Sequence, residues 1–189
     1  MNAAITNPLI YFSSETMQLK GSGIVYTEKT IGQLAGIFHD ESARAVMNQD
    51  TVVYTVQAYL PVKPGTDGGL FLGTTTIYPG AVHDEYFMTH GHFHEIRNRG
   101  EFYWGIQGEG LLLMMAADRS IQTEHIHTGS IHYVPGNTAH RVANTGNDQL
   151  VFNACWPSDA GHDYKEISTN GFSFRLVNNN GLPQLIKNT

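Results

Sequence analysis

Two histidines one residue apart, His92 and His94, stand in the run His90-Gly91-His92-Phe93-His94. On an extended strand, residues i and i+2 face the same way. The pair therefore offers two imidazoles side by side, a natural two-point grip on a metal ion. Phe93 points to the opposite face. His90 shares the face of the pair and competes with it for the same role. Seven positions after His94 comes a carboxylate, Glu101, beyond the polar loop Arg97-Asn98-Arg99-Gly100. That loop lets the chain reverse and bring Glu101 back beside the imidazoles. Tyr103 shares the face of Glu101, while Phe102 and Trp104 point away and can pack. A fourth group, His140, follows the turn Pro135-Gly136. Three imidazoles and one carboxylate suit Fe(II), Mn(II), Zn(II) or Ni(II), and an octahedral ion held this way keeps about two positions open for water or substrate.

Each piece has a plainer reading. A His-x-His pair in a strand is more often decoration than ligand, and a lone Glu101 would more often be a solvated hairpin charge. His125-Ile126-His127 has no evident carboxylate partner and reads as structural. The conjunction of His92, His94, Glu101, Gly108, His140 and Asn144 is what makes a metal site the better reading.

The elements that must position these groups are short strands. Thr51 to Leu60 and Leu70 to Tyr78 are rich in β-branched and aromatic residues, and the loop Pro64 to Gly69 separates them. Thr89 to His94 and Glu101 to Ile106 read as two strands across the polar loop. Further strands are expected at Leu111 to Ala117, Ile121 to His127, Ile131 to Val134, His140 to Ala143 and Gln149 to Trp156. Phe172 to Val177 and Gln184 to Lys187 are expected to add an outer hairpin. Gly-, Asn- and Asp-rich turns between them predict a closed all-β architecture. One helix is expected earlier. Thr30 would be its N-cap, Gln33 would complete a capping box, and Ile31, Leu34, Ala35 and Phe38 would share a face. A second short helix is expected over Glu41 to Met47. The whole reads as a single domain: an N-terminal helical or extended segment (1–49), a barrel (50–178) and a tail (179–189).

Composition narrows the function. The 189 residues suffice for one domain with a sizeable core. The formal net charge of −6 argues against a nucleic-acid partner, which needs a basic face. A single cysteine, Cys155, excludes an internal disulfide and fits a reducing cytoplasm. The N-terminus lacks the pattern of a signal peptide, and no run is long and apolar enough for a membrane span. A soluble, cytoplasmic protein is expected.

The metal motifs resemble those of the cupin superfamily, whose first motif is similar to His92-Phe93-His94, Glu101 and Gly108, and whose second is similar to Gly129, Pro135, His140 and Asn144. Asn137 stands where cupins usually have Gly, and Tyr86 where the first motif usually opens with Gly. Within that superfamily, Thr89 to His94, Tyr78-Pro79-Gly80, Tyr133-Val134-Pro135, Ala139-His140-Arg141 and Asp159-Ala160-Gly161-His162-Asp163-Tyr164 look like the cupin-type glucose-6-phosphate isomerases, over roughly residues 50 to 178. The resemblance implies a cupin (double-stranded β-helix, or jelly-roll) barrel and a homodimer. It implies one divalent metal, Fe(II) first and Mn(II), Zn(II) or Ni(II) otherwise, on His92, His94, Glu101 and His140. The sugar-phosphate substrate would be held at its phosphate by Tyr54, Thr75, Thr89 and the backbone of Gly91. Glu101, Tyr103, His162 and Tyr164 would act at the reacting end, and Phe152 and Trp156 would line the pocket. Trp156 departs from the Tyr common in the family.

Three other activities share these features: a non-catalytic sugar-phosphate-binding cupin, an isomerase of another sugar phosphate such as mannose 6-phosphate, and a metal-dependent dioxygenase. Arg97 and Arg99 could steer a phosphate to the barrel mouth, but the expected role is a solvated loop.

Overall fold

Turn residues divide the chain into strands that alternate inward and outward side chains, and these close around one cavity. The computed structural model describes residues 5–188. In chain order the elements are β1 (Ile10–Ser13), β2 (Gln18–Gly21), β3 (Ile24–Thr30), α1 (Glu41–Val46), β4 (Val52–Tyr59), β5 (Leu70–Ile77), β6 (Ala81–Val82), β7 (Glu85–Tyr86), β8 (Glu101–Gln107), β9 (Glu109–Ala116), β10 (Ile121–His127), β11 (Ile131–Val134), β12 (Thr138–Asn144), β13 (Leu150–Pro157), α2 (Lys165–Asn170), β14 (Phe174–Asn179) and β15 (Leu182–Lys187).

A six-stranded antiparallel sheet, ordered β11-β8-β13-β5-β4-β3, forms one wall of the barrel. A three-stranded sheet, β10-β9-β12, forms the other. Between them lies a continuous apolar cluster that includes Val53, Ile77, Leu112, Met115, Ile126 and Leu150, each nearly inaccessible to solvent. Truncating one such side chain to Ala typically costs about 2–5 kcal/mol. A four-stranded sheet, ordered β15-β14-β7-β6, completes the strands, and β12 is buried on both faces. There Arg141 lies over the Phe172 ring, 4.2 Å from its centre. Asn144 closes the turn into β13: its amide donates to the carbonyls of Ile77 and Asp148, and its carbonyl accepts from Gly146 N–H.

Several expected elements take a different form. The helix foreseen from Thr30 to Phe38 shrinks to a 3-10 turn at Gly32–Leu34. Gln33 does accept from Thr30 N–H at 3.1 Å, but the reciprocal Thr30 cap is absent. Gly36 then adopts φ +78°, which ends any helix. Ile31, Leu34 and Phe38 are still buried, because their spacing serves packing without a helix, while Ala35 is exposed. The short helix was expected through Met47 and ends one residue earlier, with Asp40 as its N-cap. Strand β3 was unforeseen, and it carries the six-stranded sheet back to Ile24. At the other end the expected outer hairpin is present, with its strands at Phe174–Asn179 and Leu182–Lys187.

Candidate active site

Thr89 to His94 is not the expected ladder strand. Gly91 at φ +78° breaks the extended run, and isolated bridges pin the segment instead: Met88 to Ala143, His92 to His140 and Phe93 to Asp163. A Cβ on Gly91 would stand 2.8 Å from the Phe172 ring and 2.9 Å from Arg141 Nε, so the residue must be glycine on two counts. The His92–His140 bridge uses both backbone bonds, at 3.2 and 3.0 Å, and holds the two imidazoles edge-on, 4.4 Å apart. Glu101 opens β8 and Tyr103 follows on the same face. The turn before His140 places Asn137 at φ +61°, the left-handed conformation usual for glycine, so the departure at this position preserves the turn.

Nε2 of His92, His94 and His140 and one oxygen of Glu101 all lie within 4.8 Å of one another. They are buried, and none has a hydrogen-bond partner. Oε1 of Glu101 stands 2.5 Å from His140 Nε2 and 3.6 Å from His94 Nε2, without hydrogen-bond alignment. The outer nitrogens are committed elsewhere: His94 Nδ1 lies 2.7 Å from the carbonyl of Arg99, and His140 Nδ1 lies 3.3 Å from that of Thr138. Donation from Nδ1 leaves the Nε2 lone pairs of His94 and His140 aimed at a common centre, the arrangement a metal ion needs. Burial without a partner is costly for each of these atoms. The residues present fit one divalent cation.

Electrostatics agree. Burial, with His140 and His162 nearby, pushes His92 well below the usual histidine range, toward the neutral form that a metal requires. Burial opposes the charge on Glu101, but His140 and His94 outweigh it and hold the carboxyl far below its usual range. Burial, then the Glu101 charge, drives Tyr103 well above the ordinary phenol value.

These groups stand at one side of a cavity of about 440 Å³. Its wall includes Tyr54, Thr75, Thr89, Gly91, His92, Glu101, Tyr103, His140, Phe152, Trp156, His162 and Tyr164. The alternation of strands accounts for this gathering, since Phe152 pairs with Thr75 and Thr75 with Val56 across the inner face. Trp156 packs edge-on against Phe71 at 6.0 Å and covers Gly73, where a Cβ would meet its ring at 2.9 Å. Glycine at that position gives the larger ring its space. His162 and Tyr164 stack nearly parallel, 5.7 Å apart, and His162 sits 4.4 Å from the His92 ring. Burial lowers the pKa of His162 and raises that of Tyr164.

Arg97 and Arg99 are not a solvated loop. Arg97 pairs with Asp163 at 2.6 Å and Glu166 at 3.2 Å and lies over the Phe93 ring at 4.0 Å. Arg99 grips both oxygens of Asp159. Together they tie the segment that carries His162 and Tyr164 to the loop between His94 and Glu101. His90 does line the cavity, but it stacks on Tyr164 at 4.8 Å and its Nε2 faces Ser168 Oγ, so it does not join the metal group. His125, by contrast, has a carboxylate nearby, Glu109 at 3.6 Å, although both are exposed on the outer surface. Among the described residues, only His92, His94, Glu101 and His140 form a metal-competent cluster. Sequence reasoning missed His90 as a wall residue, and also Thr27 and Lys29 of β3.

The model of the family described as glucose-6-phosphate isomerase (GPI) matches residues 28–188. This chain belongs to the cupin-type glucose-6-phosphate isomerase family. A glucose-6-phosphate isomerase of Thermococcus kodakarensis is 38% identical over 161 residues, covering 85% of this chain and 84% of its own. That of Sinorhizobium medicae is 38% identical over 154 residues, covering 79% and 71%. The match to the family begins in β3, well before the residue-50 limit expected of the resemblance. Among solved structures, an oxalate decarboxylase from Bacillus subtilis superposes with a TM-score of 0.44 at 24% identity, over 58% of this chain. The chain spans about a quarter of that protein's length, 26%. Among the described residues, no helix is long and apolar enough to cross a membrane.

Proposed function

We propose that this chain is a metal-dependent aldose–ketose isomerase that interconverts glucose 6-phosphate and fructose 6-phosphate. One observation carries the reading: a metal-competent cluster and a set of free hydroxyl donors share a single cavity of sugar-phosphate size. Tyr54 O accepts from His90 N–H at 3.4 Å, and Thr89 Oγ1 accepts from Val142 N–H at 3.1 Å. Each hydroxyl hydrogen is thereby left to donate into the cavity, which suits an anion. Thr75 Oγ1 and the backbone N–H of Gly91 complete the phosphate end.

His92, His94, Glu101 and His140 would hold the ion, Fe(II) first and Mn(II), Zn(II) or Ni(II) otherwise. When bound, a divalent ion supplies Lewis acidity at the sugar oxygens of C1 and C2. Glu101 takes the proton from C2 and the aldehyde oxygen becomes the O1 hydroxyl, giving a cis-enediol. Return of the proton to C1, with loss of the O2 proton, completes the ketose. A hydride shift from C2 to C1 would give the same product without a base. Tyr103 faces the reacting carbons. His162 and Tyr164 stand where O1 and O5 protons move, the latter during ring opening. Phe152 and Trp156 exclude water from the sugar. The protein would act in the cytoplasm in glycolysis and gluconeogenesis, as a homodimer with one such cavity in each single-domain chain.

Turnover of fructose 6-phosphate, compared with mannose 6-phosphate and with oxygen uptake by Fe(II)-loaded protein, tests this assignment. Isomerisation of fructose 6-phosphate supports it. Activity confined to mannose 6-phosphate, oxygen consumption, or tight binding without turnover would replace it.

A further inference from the structure

Lys29 lies near the end of β3 and stands directly opposite Tyr54 in the β3–β4 register. Residues paired in this way project from the same face of a sheet. Lys29 accordingly reaches the cavity wall beside Tyr54, Thr75, Thr89 and His90. It is the only lysine or arginine on that wall among the described residues. Of the arginines near the site, Arg97 and Arg99 are paired with carboxylates, and Arg141, which donates to the His90 carbonyl, lies behind the wall rather than on it. Lys29 itself has no carboxylate within ion-pair reach among the described residues.

Elsewhere on the cavity wall stands the cluster of His92, His94, Glu101 and His140. A phosphate seated away from that cluster finds neutral donors, Tyr54, Thr75, Thr89 and Gly91 N–H, at the β3–β4 end. Neutral donors alone leave a partly buried dianion without a counter-charge, which is costly. An ammonium supplies the charge and shorter, stronger hydrogen bonds.

We propose that Lys29 binds the phosphate of the substrate and sets the preference of this site for phosphorylated over free sugars. This rests on the isomerase reading above. It also gives β3, a strand outside the metal motifs, a role at the site.

The test compares Lys29→Met with Lys29→Arg in metal-loaded protein. Loss of one charge-assisted hydrogen bond predicts a KM for fructose 6-phosphate raised about ten- to a hundredfold in Lys29→Met, with kcat within about twofold. The inhibition constant of inorganic phosphate should rise in parallel, while Lys29→Arg keeps most of the affinity. An unchanged KM and unchanged phosphate inhibition in folded Lys29→Met would overturn the proposal. A second measurement needs neither a variant nor turnover: acylation of Lys29 in the wild-type protein, with and without inorganic phosphate. Protection by phosphate is expected, and full reactivity at saturating phosphate would overturn the proposal. If the wild type isomerises no hexose phosphate yet phosphate protects Lys29, the isomerase reading falls and the anion site stands.

Discussion

Arg99 touches His94 and Asp159 at once. Its carbonyl accepts from Nδ1 of His94 at 2.7 Å, and its guanidinium holds Asp159 at 2.7 Å. One residue thus fixes the tautomer of His94 and the base of the segment bearing His162 and Tyr164. Removing only the side chain separates the two jobs. In Arg99→Ala the carbonyl persists, so one metal per chain should remain by elemental analysis. Catalysis should fall about ten- to a hundredfold, the range for residues supporting a metal site, and more in kcat than in KM. The double swap Arg99→Asp with Asp159→Arg should recover part of that loss. An unchanged kcat in Arg99→Ala would show that the clamp does not position His162 and Tyr164.

Glu101 is assigned both as ligand and as base. Glu101→Gln keeps shape and one donor oxygen. Turnover should drop by at least about 10²–10⁴, the usual worth of a general base, with metal still bound. Normal turnover at normal metal content would remove Glu101 as the base and favour the hydride route.

Tyr54 is kept protonated by its surroundings, since burial pushes its pKa up to about 12. A raised phenol pKa means a neutral donor at all lower pH. Tyr54 should therefore contribute no titration to substrate binding between pH 6 and 10. KM should instead fall as pH rises through the second ionisation of a phosphate ester, about 6, and then level off. Tyr54→Phe should raise KM without changing the shape of that profile. A new inflection in the wild type near pH 8 or 9, absent in Tyr54→Phe, would contradict this.

Gly91 is required by its backbone and by its neighbours. Gly91→Ala combines a left-handed φ of +78° with contacts inside 3.0 Å to Phe172 and Arg141. The expected cost is about 1–3 kcal/mol, read as a lower melting temperature in apo and metal-loaded protein alike. A melt equal to wild type would show that the segment relaxes freely.

How much of this was legible in the residues follows from what each element depends on. The cluster of His92, His94, Glu101 and His140 could be read because strand alternation and turn chemistry are local. The strands β10 and β11 fell where expected for the same reason. The His92 segment was legible in direction but not in form: its bridges to Ala143, His140 and Asp163 are tertiary. Strand β3 was invisible because it is an edge strand with a mostly exposed face, so it lacks an apolar alternation. Lys29 and Thr27 were lost with it. Helix α2 is six residues long and ends in Ser168, Thr169 and Asn170, poor helix formers; burial of Ile167 holds it. The opposite error occurred at Thr30 to Phe38, where helical spacing served burial and Gly36 blocked the helix. Arg97 and Arg99 looked solvated because their partners, Asp159, Asp163 and Glu166, lie some sixty residues away.

The most direct test of the central claim is fructose 6-phosphate isomerisation by protein stripped with a chelator and reloaded separately with Fe(II), Mn(II), Zn(II) and Ni(II). Activity should disappear on stripping and return with one equivalent of a suitable ion, and should fail to return in His92→Ala or His140→Ala. Full activity in the stripped protein, or one bound ion per chain with no turnover for any metal, would contradict it.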